Sequence, residues 1–210
     1  MKFEELLQIV RNEPVFSTGI LLAGDTTAEN ARAQLSRWVR EGRVISLRRG
    51  CYTLAEPYTD ALPHPFLVAN AMELGSYVSC QTALAWYGLV PETFGAVTSV
   101  TPGRPSVVRN ELGTFIYRHM RRELQSGYRR ETLPGGRKAR VASPEKALLD
   151  LIYLEPGGYS PEYLEELRLQ NTDILSLDAL EELTAMWDRP RMGRALENLR
   201  PYLSGRRGGT

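Results

Sequence analysis

Asn30, Gln34, Arg37 and Arg40 follow one another at intervals of three or four residues, the spacing that brings side chains together on a helix. Their chemistry is that of duplex readout: arginine can fork onto a guanine edge, and asparagine or glutamine can pair with adenine. Ala33 lies among them, small enough to let a helix approach closely and able to touch a thymine methyl, and Thr27 stands at the head of the same segment. Shortly afterwards Arg48 and Arg49 precede Gly50, and guanidinium groups at such a turn would meet backbone phosphate. A third set, Arg118, Arg121, Arg122, Arg129 and Arg130 beside Tyr117 and Tyr128, interleaves cations with aromatic rings. That set suits additional phosphate contacts, and it suits pairing with the acidic stretch that follows equally well.

Other reactive residues form no working constellation. Residues 145–188 are rich in carboxylates that could hold Mg²⁺ for phosphodiester cleavage. Yet Glu162, Glu165 and Glu166, like Glu181 and Glu182, fall in helical patterns, which predicts solvated helix faces. Glu145 and Asp150, five residues apart, would point about 140° away from each other around a helix and could not share one metal. Ser17, Ser79, Ser143 and Ser160 read as helix N-caps, and none sits in a nucleophile-elbow sequence. The glycines at 95 and 103 lack the spacing of a phosphate loop. His64 lies between two prolines, His119 ends a β-rich run, and neither has a Cys or Asp neighbour that would activate it. Cys51 and Cys80 make no metal spacing and no disulfide framework, and Cys80 is expected to be a small buried residue. The expectation is therefore no catalytic site, no metal and no cofactor: a protein that is not an enzyme.

The chain has 210 residues, 42% of them hydrophobic, enough for one large or two small domains. Its formal net charge is only +1, which excludes a generally cationic nucleic-acid coat protein but not a local basic face. The charge is segmented. Residues 26–54 carry six arginines against Glu29 and Glu41, and 103–140 carry ten cations against three glutamates. Residues 141–188 reverse this, with Lys146 and Arg168 against eleven acids. Arginine outnumbers lysine 23 to 3, and planar guanidinium forks fit phosphate and guanine better than ammonium does. No apolar run approaches the roughly 18 residues that cross a bilayer, and the first residues mix acid with apolar side chains. The expected setting is a reducing cytoplasm, with no membrane partner.

These side chains must be placed by elements that the sequence already outlines. Phe3, Leu6, Leu7 and Val10 predict a first amphipathic helix over 2–11. Ser17 is expected to cap a short second helix over 18–23, with a turn at Gly24 and Asp25. Thr26 and Glu29 have capping-box spacing for a third helix running to about Glu41. On its helical wheel Ala28, Ala31, Leu35, Trp38 and Val39 cluster within about 60° as a core stripe, opposite Asn30, Ala33, Arg37 and Arg40, with Gln34 at the margin. Strands at 44–47 and 51–54 around Arg48-Arg49-Gly50 complete the order of a winged helix-turn-helix over residues 1–56. Pro57, Pro63 and Pro65 predict a linker over 57–65. A mixed domain is expected over 66–203, with helices at 66–74 and 80–87, strands at 97–101, 114–119 and 137–142, and helices from Ser143, from Ser160, at 178–187 and at 191–199. Residues 204–210 read as a disordered tail. The fold class is thus α+β: a winged helix-turn-helix followed by a mixed domain that ends in helices.

Three stretches resemble one family. Arg49-Gly-Cys-Tyr52 closes a module similar to the winged-helix domain of AbiEi-type antitoxins, regulators of type IV toxin–antitoxin systems associated with phage defence. Tyr77-Val-Ser-Cys-Gln-Thr-Ala-Leu-Ala-Trp-Tyr-Gly-Leu89 with Pro91-Glu92 is similar to that family's central helix, and Ala142-Ser-Pro-Glu-Lys-Ala-Leu-Leu-Asp-Leu151 to a later helix start. The resemblance covers roughly residues 3–200 in order. It implies an N-terminal domain that binds inverted repeats in its own promoter and represses its operon. It also implies a C-terminal domain that counteracts a nucleotidyltransferase-like toxin without a stable complex. Two other classes stay open: a protein-interaction adaptor using the same module and the acidic helices, and a metal-dependent nuclease.

Overall fold

The computed structural model describes residues 1–23, 27–91, 95–187 and 189–203. Near the N-terminus, helix α1 (Phe3–Val10) buries Phe3, Leu6 and Val10, the stripe its spacing predicts. A two-residue strand β1 (Phe16–Ser17) follows, which the sequence did not announce. The expected second helix is a 3-10 helix over Thr18–Ala23, and Ser17 belongs to β1 instead of capping it. Helix α2 (Ala28–Arg40) then leads into strands β2 (Val44–Arg48) and β3 (Cys51–Leu54). The three strands form an antiparallel sheet in the order β1-β3-β2. Gly50 holds φ at +81° in the tight β2–β3 turn, a value that glycine adopts without strain. Thr27 caps α2, its Oγ1 accepting from the Asn30 amide at 3.3 Å. Thr26 and the Gly24–Asp25 turn lie outside the described residues, as does the 204–210 tail.

The rest of the chain is built on a six-stranded sheet in the order β6-β7-β5-β4-β9-β8. Its strands are β4 (Tyr77–Val78), β5 (Ala96–Thr101), β6 (Ser106–Asn110), β7 (Gly113–His119), β8 (Tyr128–Thr132) and β9 (Lys138–Ala142). The pairs β4–β9 and β5–β7 are parallel and the remainder antiparallel. Strands β4, β6 and β8 carried no clear sequence signal: β4 is two residues long, and β6 and β8 are edge strands with mostly exposed side chains. Helix α3 (Pro65–Met72) packs against β4, β5 and β9, and α4 (Cys80–Trp86) against β5 and α5 (Pro144–Leu154). Helices α6 (Pro161–Glu166), α7 (Leu177–Trp187) and α8 (Pro190–Leu203) complete the layer beside α5. Ser143 and Ser160 cap α5 and α6 as expected, each accepting a backbone amide three residues on. Ser79 does not cap α4, because its hydroxyl is used elsewhere.

The described residues bury two apolar clusters. The smaller holds Phe3, Leu6, Val10, Leu21, Ala31, Leu35, Trp38 and Val44; the larger fills the space between the six-stranded sheet and its helices. The β2–β3 hairpin belongs to both. Val44 and Leu54 face the small cluster, while Ile45, Leu47 and Cys51 enter the large one. The hairpin is therefore a shared wall and not a free-standing appendage. Pro65, assigned from the sequence to a linker, is the first residue of α3, and His64 caps it, Nδ1 accepting from the Phe66 amide at 3.2 Å.

Candidate nucleic-acid interface

Helix α2 is anchored by one side only. Ala31 and Leu35 are fully buried and Trp38 is 1% exposed, its ring meeting Phe3 edge-on at 5.3 Å. Asn30, Ala33, Arg37 and Arg40 are all exposed on the opposite side, and Thr27, the N-cap, is exposed at the start of the helix. Two details correct the helical-wheel expectation. Ala28 is exposed, because the helix starts there and its first turn overhangs the core, and Val39 is only half-buried. Gln34 is half-buried as well, and its amide oxygen is enclosed without a hydrogen-bond partner, so its orientation is set partly by packing. Arg37 sits 3.8 Å from Glu41, which also pairs with Arg43 at 3.1 Å; pairs this exposed hold a guanidinium weakly. Arg40 Nε reaches the Ser36 carbonyl at 3.4 Å.

The hairpin arginines part company. Arg49 is exposed and makes no ion pair among the described residues. Arg48 was expected beside it at a free tip but is turned away: one Nη donates to the Met72 carbonyl and to Glu73 Oε2, both at 2.6 Å. A register shift between Ser46 and Arg48 marks a bulge, the usual device for re-aiming a strand side chain. The third set of arginines also divides. Arg118 is held by Glu155 Oε1 at 2.6 Å and by the Leu154 carbonyl at 2.7 Å, so this one pairs with the acidic stretch. Arg129 pairs with Glu131 and lies over the Tyr87 ring. Arg121, Arg122 and Arg130 are exposed and make no ion pair among the described residues. Arg130 stands directly across from Arg140 in the β8–β9 ladder, a like-charge pairing that anion binding would relieve.

One polar cluster escaped the sequence reading. On α5, Lys146 and Asp150 are both fully buried and form an ion pair, and Asp150 Oδ2 also accepts from Tyr77 Oη at 3.0 Å and Ser79 Oγ at 2.7 Å. Lys146 Nζ donates further to the Leu124 carbonyl at 2.6 Å and lies 4.5 Å from the Trp187 ring centre. Burial pushes the Asp150 carboxyl up and the Lys146 ammonium down, each opposed by its partner's charge. Glu145 is buried too, accepting from the Ser176 amide at 3.0 Å. The expected solvated faces hold for Glu162, Glu165, Glu166 and Glu182, but not for these two carboxylates at the start and middle of α5. A visible signal existed: opposite charges four apart inside an otherwise apolar helix. Tyr77, Ser79, Lys146 and Asp150 are all fully buried, and the network ties β4, α4 and α5 together.

Cys80 is fully buried, as expected, and opens α4 at φ +54°, a strained value for a non-glycine residue. Burial pushes the Cys80 thiol up and raises that of Cys51 to about 11, so both stay protonated at pH 8. Ellman's reagent is therefore expected to label neither cysteine in the folded protein on the timescale of labelling the urea-unfolded chain; rapid native labelling of Cys51 would mean that the hairpin opens. His119 Nδ1 lies 2.8 Å from the Gly103 carbonyl. A cavity of about 610 Å³ between α3, α4 and β7 is lined by His64, Phe66, Trp86 and Phe115, with no Asp, Glu, Lys or Arg side chain in its lining among the described residues. No helix among the described residues is long and apolar enough to cross a membrane.

The fold is similar to that of the crystal structure of RV2827C protein from Mycobacterium tuberculosis, with a TM-score of 0.52 and 14% identity, covering 92% of this chain and 75% of that one. At that identity the likeness concerns the fold alone. It places the chain among mixed α+β proteins. No family model and no curated protein matches the sequence.

Proposed function

We propose that this chain is a cytoplasmic DNA-binding transcriptional regulator of the AbiEi-like antitoxin kind. The first three helical segments and the hairpin act as a winged helix-turn-helix, with α2 entering the major groove. Asn30 and Arg37 face base edges there, Ala33 permits close approach, and Thr27, Gln34 and Arg40 flank them. Arg49 meets backbone phosphate, and Arg121, Arg122 and Arg130 extend the phosphate track. The target is the protein's own promoter, read as inverted repeats, and the second partner is a nucleotidyltransferase-like toxin counteracted without a stable complex. The observation that carries this reading is the uncovered outer side of α2, where exposed Asn30, Arg37 and Arg40 stand opposite buried Leu35 and Trp38.

The test is promoter affinity measured across salt concentrations. Log K should fall linearly with log salt, by about 0.9 for each phosphate neutralised, and a flat response would remove the electrostatic argument. Arg37→Ala should cost about 1–3 kcal/mol on the promoter and much less on random duplex, whereas Arg49→Ala should weaken both alike and flatten the slope by about one. Equal losses on both DNAs for Arg37→Ala would show that α2 does not read bases. A second reading, a protein-binding adaptor, draws on the exposed acids Glu162, Glu165, Glu166, Asp173, Asp178 and Glu182. It predicts no promoter binding even at low salt, together with co-purification of a basic partner encoded nearby.

A further inference from the structure

The hairpin presents two arginines of the same type in sequence, yet only Arg49 is exposed and without an ion pair. Arg48 is held by a receptor made wholly from the end of α3, which packs on the six-stranded sheet. The Met72 carbonyl is the last of α3 and lies at the negative end of that helix, and Glu73 follows it as the C-cap residue. Glu73 is positioned independently of its guest. Its Oε1 accepts from Thr101 Oγ1 at 3.3 Å, and it packs so close to Gly103 that a Cβ there would stand 2.7 Å from that oxygen. A carbonyl beside a carboxylate offers a guanidinium the same kind of acceptor set as two phosphate oxygens.

The hairpin backbone would not have to move for this pair to open. Ile45, Leu47 and Cys51 are buried in the large core, and Asn110 Nδ2 donates to the Leu47 carbonyl at 2.9 Å. That fixes the strands on both sides of Arg48. The arginine side chain is 40% exposed and that of Glu73 20%, so the pair sits where water and salt compete with it. A rotation of the Arg48 side chain alone exchanges one anion for another.

We propose that Glu73 acts as an internal stand-in for a DNA phosphate: it holds Arg48 against the end of α3 so that the hairpin offers only Arg49 to duplex, and release of the pair adds one phosphate contact. The proposal rests on the reading of the N-terminal unit as DNA-binding and names a control on it. Anything that occupies Glu73 or shifts the end of α3 strengthens DNA binding without altering base contacts.

The full chain is compared with Glu73→Gln, Arg48→Ala, the double variant and Glu181→Gln, the last removing one negative charge from the exposed Arg200–Glu181 pair on α7 and α8. Thermal unfolding of each establishes that it is folded, and binding to promoter and random duplex is read across salt. Glu73→Gln should bind both DNAs more tightly and steepen the salt slope by about 0.9. Arg48→Ala should leave the slope of the otherwise unchanged protein as it was, and should cancel the gain in the double variant. Glu181→Gln should change neither. A slope flattened by about 0.9 on Arg48→Ala alone would place Arg48 on phosphate already and overturn the proposal. So would an unchanged slope in Glu73→Gln, or an equal gain in Glu181→Gln. In these outcomes the unsubstituted protein still binds with a salt-dependent slope and the DNA-binding reading stands. If neither it nor Glu73→Gln binds duplex at low salt, that reading falls and the control falls with it.

Discussion

Asp150→Ala should destabilise the protein by about 3–5 kcal/mol, the loss expected when one partner of a buried ion pair is removed and the other charge is stranded. The stranded group is the Lys146 ammonium, fully enclosed and left with the Leu124 carbonyl and the Met120 sulfur as its remaining acceptors. Tyr77 and Ser79 lose the acceptor of their buried hydroxyls in the same step, each costing on the order of 1 kcal/mol or more. Urea unfolding followed by far-UV circular dichroism measures the difference, and the melting temperature should drop by on the order of 10 °C for a chain this long. The companion variant decides the cause. Lys146→Met combined with Asp150→Leu removes both charges, so the share of the loss due to the stranded ammonium should return while the orphaned Tyr77 and Ser79 hydroxyls keep theirs. A single-variant loss near the roughly 0.5 kcal/mol of an ordinary surface change would mean that water reaches the pair. A double variant no better than the single would place the cost in packing and in the orphaned hydroxyls, not in the stranded charge.

Trp38→Ala should cost a similar amount, about 3–5 kcal/mol, but with its effect concentrated at the N-terminal end. Trp38 is the largest fully buried side chain there, and its ring closes the small cluster against Phe3. Among the described residues that cluster holds only ten buried side chains, so it has little capacity to close a cavity of indole size. Hydrogen exchange should show protection lost in α1 and α2, while β2 and β3 keep theirs through Ile45, Leu47 and Cys51 in the larger core. Promoter binding should disappear with α2, whereas Trp38→Phe should retain most of both. Uniform loss of protection through the six-stranded sheet would show instead that the two clusters unfold as one unit.

The stretches Tyr77–Leu89 and Ala142–Leu151 converge on the same few atoms. Tyr77 and Ser79 come from the first and Lys146 and Asp150 from the second, and all four meet at the Asp150 carboxylate. Their physical role is to lock β4, α4 and α5 together by a hydrogen-bonded network of fully buried side chains. Those stretches thus speak to how the helices close on the six-stranded sheet, and the DNA-binding proposal stands on α2 and the hairpin instead.

Much of the architecture was legible because it depends on short-range rules. The apolar stripe of α1, the Ser-Pro-Glu starts of α5 and α6, and the Gly50 turn are each set by residues within a few positions of one another. The exposed side of α2 was legible for the same reason: once Leu35 and Trp38 face a core, the helical repeat sends Asn30, Ala33 and Arg37 outward. Edge strands β6 and β8 were not: each pairs with the next strand across a short turn, but their side chains are mostly exposed, so no apolar alternation marks them. The bounds of the second helical segment, 18–23, were legible as well, but not its 3-10 winding, because six residues give too few turns for the periodicity to tell one helix type from another.

What the chain order determined by itself, then, is the set of elements and the directions in which their side chains leave the backbone. What only tertiary structure decided is which charges find one another. Arg48 and Arg49 are neighbours of one type, but Glu73 captures the first and leaves the second exposed and without an ion pair. Lys146 and Asp150 look like an ordinary surface pair four residues apart until Tyr77, Ser79 and Leu124 close over them. Local preferences act through bonded geometry over a turn or two, whereas the fate of a charge depends on solvent access and on groups tens of residues away that only the folded chain brings near.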